Sequence, residues 1–168
     1  LNDIGFLQAA DEINHFGWGA YNLQQPFSIF RSANLNYNQY GKWDFGGNLL
    51  YVAFSTNINF HFKSNWRTGI GFTWNPHDVS NNALRGNTSL RKPPGFGVDG
   101  YFESDSRKKV FAFGNINGGH AFQKTVTFFS LSGGLTFQPF NALRFSFSPG
   151  YGKTKRKQDQ FVANRPYN

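Results

Sequence analysis

Between Val52 and Lys63 the chain alternates strictly. Val52, Phe54, Thr56, Ile58, Phe60 and Phe62 take the even positions, while Ala53, Ser55, Asn57, Asn59, His61 and Lys63 take the odd ones. Successive strand residues point to opposite faces, so a period of two defines an apolar and a polar surface, a pattern that does not fit a helix. After Lys63-Ser64-Asn65 the pattern resumes, with Trp66, Thr68, Ile70, Phe72 and Trp74 opposing Arg67, Gly69, Gly71, Thr73 and Asn75. This predicts an antiparallel hairpin with a tight turn. The pattern recurs in Thr127, Phe129, Leu131, Gly133, Leu135 and Phe137 and, beyond Gln138-Pro139-Phe140-Asn141, in Leu143, Phe145, Phe147, Pro149 and Tyr151.

Less regular strands are predicted over 96–103 and 110–120, and Ala33, Leu35 and Tyr37 alternate with Asn34, Asn36 and Asn38. A first strand over 15–21 precedes a turn at Gln24-Gln25-Pro26, giving about eight strands. Only 7–13 suggests helix, and a single turn at most. Connections alternate in length: 23–26, 63–65, 104–107 and 138–142 are short, whereas 41–48, 76–95, 120–124 and the stretch after Gly152 lie between them. Tight turns at one end and longer loops at the other match an outer-membrane barrel.

Composition narrows the choice. The 168 residues suffice for one ordinary domain. Cys is 0, which removes disulfide frameworks, thiolate zinc sites and cysteine nucleophiles. No apolar run approaches the roughly 18 residues of a membrane-spanning helix. Charged residues are 15% and aromatics 19%, so the polar face carries Asn, Gly, Ser and Thr where a soluble sheet would carry Lys and Glu. The expected fold is therefore all-β: a transmembrane antiparallel up-and-down barrel, incomplete in this chain and part of a larger one. Ile58, Phe60, Phe62, Ile70, Phe72, Phe129, Leu131, Phe145 and Phe147 are expected to face lipid. Asn57, Asn59, His61, Arg67 and Arg144 are expected to face the lumen. Arg31 shares a strand face with Ala33 and Leu35, and its place at the strand start would let it snorkel to the interface. Phe62, Trp66, Phe137 and Phe140 at the turns, with Tyr37, Trp74 and Tyr151 at the opposite ends, form two expected aromatic girdles.

The residues offer little catalytic chemistry. His15, His61, His77 and His120 are scattered, and no Gly-x-Ser-x-Gly elbow or His-Glu-x-x-His motif occurs. His61, beside Asn57 and Asn59, reads as a hydrogen-bonded lumen residue. Asp99 and Glu103 share a strand face, but four residues at about 3.3 Å each separate them by roughly 13 Å, beyond glycosidase carboxyl spacing. Ion pairs with Arg67 or Arg144 are their expected role. Gly46-Gly47, Gly118-Gly119 and Gly133-Gly134 lack the Lys-Ser/Thr of a phosphate loop and suit barrel curvature. The net charge of +8 gathers near turns. Arg85, Arg91, Lys92, Lys153, Lys155, Arg156 and Lys157 are expected to form an outer rim attracting anionic lipid or acidic glycan. No basic-aromatic stripe points to nucleic acid.

Asn2-Asp3-Ile4-Gly5-Phe6-Leu7, Ile29-Phe30-Arg31, Trp43-Asp44-Phe45-Gly46-Gly47, Ala83-Leu84-Arg85-Gly86, Ser104-Asp105-Ser106-Arg107-Lys108-Lys109, Pro139-Phe140-Asn141-Ala142-Leu143 and Ser148-Pro149-Gly150-Tyr151 follow one another in an order that resembles the domain of unknown function 5916 family. This is a Bacteroidetes-type family in which a carbohydrate-binding-like domain precedes a long outer-membrane barrel. The resemblance implies a location in the outer membrane of a Gram-negative bacterium and carries over no catalytic residue. The expected function is a non-enzymatic barrel without cofactors that anchors an exported carbohydrate-binding domain. Its expected partners are outer-membrane lipid, lipopolysaccharide, glycan and other surface proteins. A passive channel and a soluble lectin-like sandwich are the alternatives.

Overall fold

The computed structural model describes residues 11–84, 88–122 and 125–156. Ten strands are present: β1 (Ile13–Leu23), β2 (Phe30–Trp43), β3 (Leu49–Phe62), β4 (Arg67–Leu84), β5 (Thr88–Lys92), β6 (Gly95–Glu103), β7 (Val110–Ala121), β8 (Val126–Phe140), β9 (Leu143–Phe147) and β10 (Gly150–Arg156). They form a single antiparallel sheet in the order β1-β2-β3-β4-β6-β7-β8-β10, with β5 on β4 and β9 on β8. β5 and β6 lie end to end along β4, separated at Pro93-Pro94, and β9 and β10 lie end to end along β8, separated at Ser148-Pro149. Proline has no N–H for a ladder, and both of these breaks fall at prolines. The ten segments thus occupy eight lanes, the number the alternation predicts.

Two expectations change. The 76–95 segment is not an irregular loop, because β4 continues through Pro76 and returns as β5, extending the sheet as a hairpin. Lys153, Lys155 and Arg156 belong to the edge strand β10 rather than to a loop, and register places Lys153 opposite Phe129 and Lys155 opposite Thr127. The sheet does not close on itself, in line with the expectation of an incomplete segment: among the described residues β1 pairs only with β2 and β10 only with β8. The helical turn expected over 7–13 falls mainly outside the described residues, and Ile13 already belongs to β1.

Register carries each face across the lanes. One apolar row runs Leu35, Ile58, Ile70, Gly100, Ile116, Leu131 and Tyr151, with each residue directly opposite the next. The adjoining polar row runs Asn36, Asn57, Gly71, Asp99, Asn117, Ser130 and Gly152. Arg31 departs from the simple alternation. A bulge between Phe30 and Ser32 places the extra residue beside His61, while Phe30 keeps its ring against Phe60 and Phe62. The bulge thus transfers Arg31 from the Ala33 and Leu35 face to the His61 face, and no snorkelling is needed.

Little of this sheet is covered. Ala33, Leu50 and Ala53 are the buried apolar residues among those described, whereas Ile70 is 57% and Phe147 74% exposed. The strands' principal contacts are with their ladder neighbours, and no second sheet packs on either face among the described residues.

The β3–β4 turn depends on Asn65, whose φ of 63° lies in the left-handed region. Asn65→Gly should keep the turn. Asn65→Val should destabilise it by about 1–2 kcal/mol, from the steric cost of that conformation for a side chain branched at Cβ. Unfolding midpoints of the two variants check the difference.

Candidate functional site

The polar face holds a continuous chain of side-chain hydrogen bonds. Asn34 Nδ2 donates to Asn22 Oδ1 and Asn36 Nδ2 to Asn34 Oδ1, linking β1 to β2. Asn57 Oδ1 accepts from Asn36 Nδ2 and from Asn59 Nδ2, each at 2.8 Å. The Tyr101 hydroxyl then donates to Asn59 Oδ1 at 3.1 Å, reaching from β6 to β3 over β4. Gly69 permits that crossing. A Cβ there would stand 2.5 Å from both Asn59 Oδ1 and the Tyr101 ring. Gly71 does the same for Asp99, whose carboxylate would meet an added Cβ at 2.6 Å. These groups line a polar hollow of about 170 Å³.

At the short-turn end, Asp105 joins two turns. Its Oδ1 accepts from Arg107 Nε at 2.9 Å and its Oδ2 from Arg107 Nη2 at 2.8 Å, while Asn65 Nδ2 reaches the same Oδ2 at 3.4 Å. Asp105 is buried, and the Arg107 guanidinium holds its carboxyl well below the usual carboxylate range despite the opposing effect of burial. The same rung carries Arg31, His61 opposite Arg67, and Arg67 opposite Glu103. Arg144 extends over the Phe111 ring, 5.6 Å from its centroid.

At the opposite end, Lys92 bonds Asp78 at 3.0 Å and Lys42 bonds Glu12 at 2.9 Å, around a hollow of about 700 Å³. Asp44 closes the β2–β3 turn by accepting from the Asn48 side chain and backbone, which hold its carboxyl low.

The residues expected to face lipid, Ile58, Phe60, Phe62, Ile70, Phe72, Phe129, Leu131, Phe145 and Phe147, share one face by register. Asn57, Asn59, His61, Arg67 and Arg144 share the other. Of the expected rim, Arg91 and Lys92 lie on β5 and Lys153, Lys155 and Arg156 on β10, all toward the long-loop end, while Arg85 and Lys157 lie outside the described residues. Lys92 is already ion-paired, so the rim is partly neutralised. Asp99 and Glu103 form no ion pair with Arg67 or Arg144. His61 makes no side-chain hydrogen bond among the described residues; the charges of Arg31, Arg67 and Arg107 act on it instead. His77 bonds the Leu49 carbonyl and His120 the Thr127 hydroxyl, each at 2.9 Å. The Tyr101 link and the Asp105 clamp were absent from the sequence reading, although Gly69 and Gly71 opposite polar strand positions mark where a long side chain can cross.

The fold and this face define a single-sheet, all-β antiparallel protein with one apolar and one amide-rich surface. The family model described as Domain of unknown function (DUF5916) matches residues 1–166, and the chain belongs to that family. No curated protein and no solved structure matches it.

Asp105→Ala should separate the β3–β4 and β6–β7 turns and lower the unfolding midpoint at pH 7. A carboxyl depressed in the folded state stabilises above its unfolded value and loses that contribution as pH falls through the folded one. The gap between wild type and variant should therefore persist at pH 5 and shrink only below the ordinary carboxylate range, as unfolding midpoints along a pH series would show.

Proposed function

We propose that this sheet forms part of a transmembrane β-barrel in the outer membrane of a Gram-negative bacterium, serving as the anchor of an exported domain. The observation that carries this reading is the uncovered apolar face. Soluble proteins do not leave a contiguous apolar surface of this extent in water. Lipid would cover it without a second protein layer, which a sandwich requires and the described residues lack.

Aromatic depth supports the same reading. Trp66 stacks on Phe102 and Phe30 packs on Phe62 near the short turns, while Phe54 stacks on Trp74 and Phe72 on Phe96 toward the other end. From Trp66 to Trp74, eight residues at about 3.3 Å and a tilt near 40° span about 20 Å of thickness, comparable with an outer-membrane apolar band. Between these levels the apolar faces of β3 and β4 carry no charge. Lys153 and Lys155 share the apolar side on β10 but sit toward the long-loop end, where their stems can lift the ammonium groups to the interface.

Unpaired ladder groups are costly in a bilayer, so the free edges of β1 and β10 require further strands, making a barrel of more than eight lanes. A barrel of that size leaves room for water, and the amide-rich face suits such a lumen. This favours a passive channel as the second reading. A link to glycans rests on the family resemblance alone.

The intact protein should sediment with outer membranes, require detergent for solubility and migrate differently on gels before and after heating. Ile70→Arg, at mid-band, should cost about 2–4 kcal/mol of barrel stability, and Trp66→Arg, near an interface, clearly less. Solubility without detergent, or equal tolerance of both substitutions, would refute the membrane reading.

A further inference from the structure

The short-turn end of the polar face brings together cations that the sequence places far apart. The bulge in β2 turns Arg31 toward His61, and register sets Arg67 beside His61 on the next lane. Backbones two lanes apart are separated by about 10 Å, a gap that two arginine side chains can close from opposite sides. Arg107 is committed to Asp105, and Arg144 covers Phe111. Neither Arg31 nor Arg67 has a carboxylate within ion-pairing distance among the described residues. The short-turn end of the sheet thus carries four arginines against two carboxylates, Glu103 and Asp105, among the described residues. At the opposite end, by contrast, Lys42 and Lys92 are both neutralised.

We propose that this end of the polar face is an anion site, in which Arg31 and Arg67 close on a phosphate-type oxyanion above His61. Guanidinium suits this role because its planar donors pair with two oxygens at once and it stays charged at any ordinary pH. His61 lies under the anion and makes no competing side-chain bond. Glu103, opposite Arg67, opposes the anion and limits its affinity. The ligand is a soluble phosphate species rather than a lipid headgroup, since the site lies on the face away from the apolar surface.

Calorimetric titration of the full-length protein with inorganic phosphate and pyrophosphate, at low ionic strength in zwitterionic detergent free of anionic lipid, tests this. Wild type should bind both, with affinity falling steeply as salt is added. Arg31→Ser and Arg67→Ser should each weaken binding by about tenfold, in keeping with loss of a charge-assisted contact. Glu103→Gln should tighten it, a result that a purely structural role for Glu103 would not produce. Lys42→Gln, at the far end where Lys42 is paired with Glu12, should leave affinity unchanged, and unaltered heat-dependent gel migration would show that each variant is folded. Absence of binding by wild type, unchanged affinity in both arginine variants, or an equal loss in Lys42→Gln would overturn the proposal. None of these outcomes bears on whether the apolar face meets lipid, which detergent dependence reports separately.

Discussion

The backbone ladder is what this structure depends on. With almost no buried apolar side chains and no second layer among the described residues, the sheet is held by strand pairing and by same-face contacts between neighbouring lanes. In a water-soluble domain that would be inadequate, because hydrophobic burial is the dominant favourable term in folding. In a low-dielectric surrounding the balance reverses, since each backbone group without a partner costs several kcal/mol and the paired ladder becomes the stable arrangement. Fold and solvent are therefore one question for this chain, and the apolar row from Leu35 to Tyr151 points to the answer proposed above.

The same constraint shapes the polar face. A surface lined by side chains that bond one another needs little outside the sheet to satisfy it, and the Asn22 to Tyr101 chain meets this need with neutral amides and one phenol. Its continuity depends on a residue without a side chain, because Tyr101 reaches Asn59 only through the space above Gly69. Packing and polar satisfaction are thus coupled. A larger residue at Gly69 would not leave a cavity or bury a charge; it would detach Tyr101 from the amide chain.

Much of this was legible in the sequence, for a physical reason. A face that meets a uniform apolar surrounding must be apolar at every second residue, so alternation, strand number and the partition of Phe60 from Asn59 are written directly into the order of residues. What escaped were departures from regularity. The Arg31 bulge adds one residue to one strand, and nothing in Ile29-Phe30-Arg31-Ser32 marks it apart from a charge on the wrong side. The β4–β5 hairpin was hidden because Pro76 and a run of polar residues look like a loop, although β4 continues past that proline. Closure does not follow from the alternation, since free edges are a property of which strands meet and not of any strand's own pattern.

Charge placement is where these irregularities bear on function. The basic residues nearest in sequence, at the end of β10, suggested a rim, yet they lie on an edge strand among aromatic neighbours, with Lys153 opposite Phe129. The cations that do converge come from β2 and β4, 36 positions apart, and do so because a single inserted residue rotates one of them by half a pleat. The clamp of Asp105 on Arg107 and Asn65 fixes the turns beneath them and removes that carboxylate from competition. An anion approaching this end of the polar face therefore meets two guanidinium groups without an ion pair among the described residues and one opposing carboxylate, whereas Lys42 and Lys92 at the other end are paired.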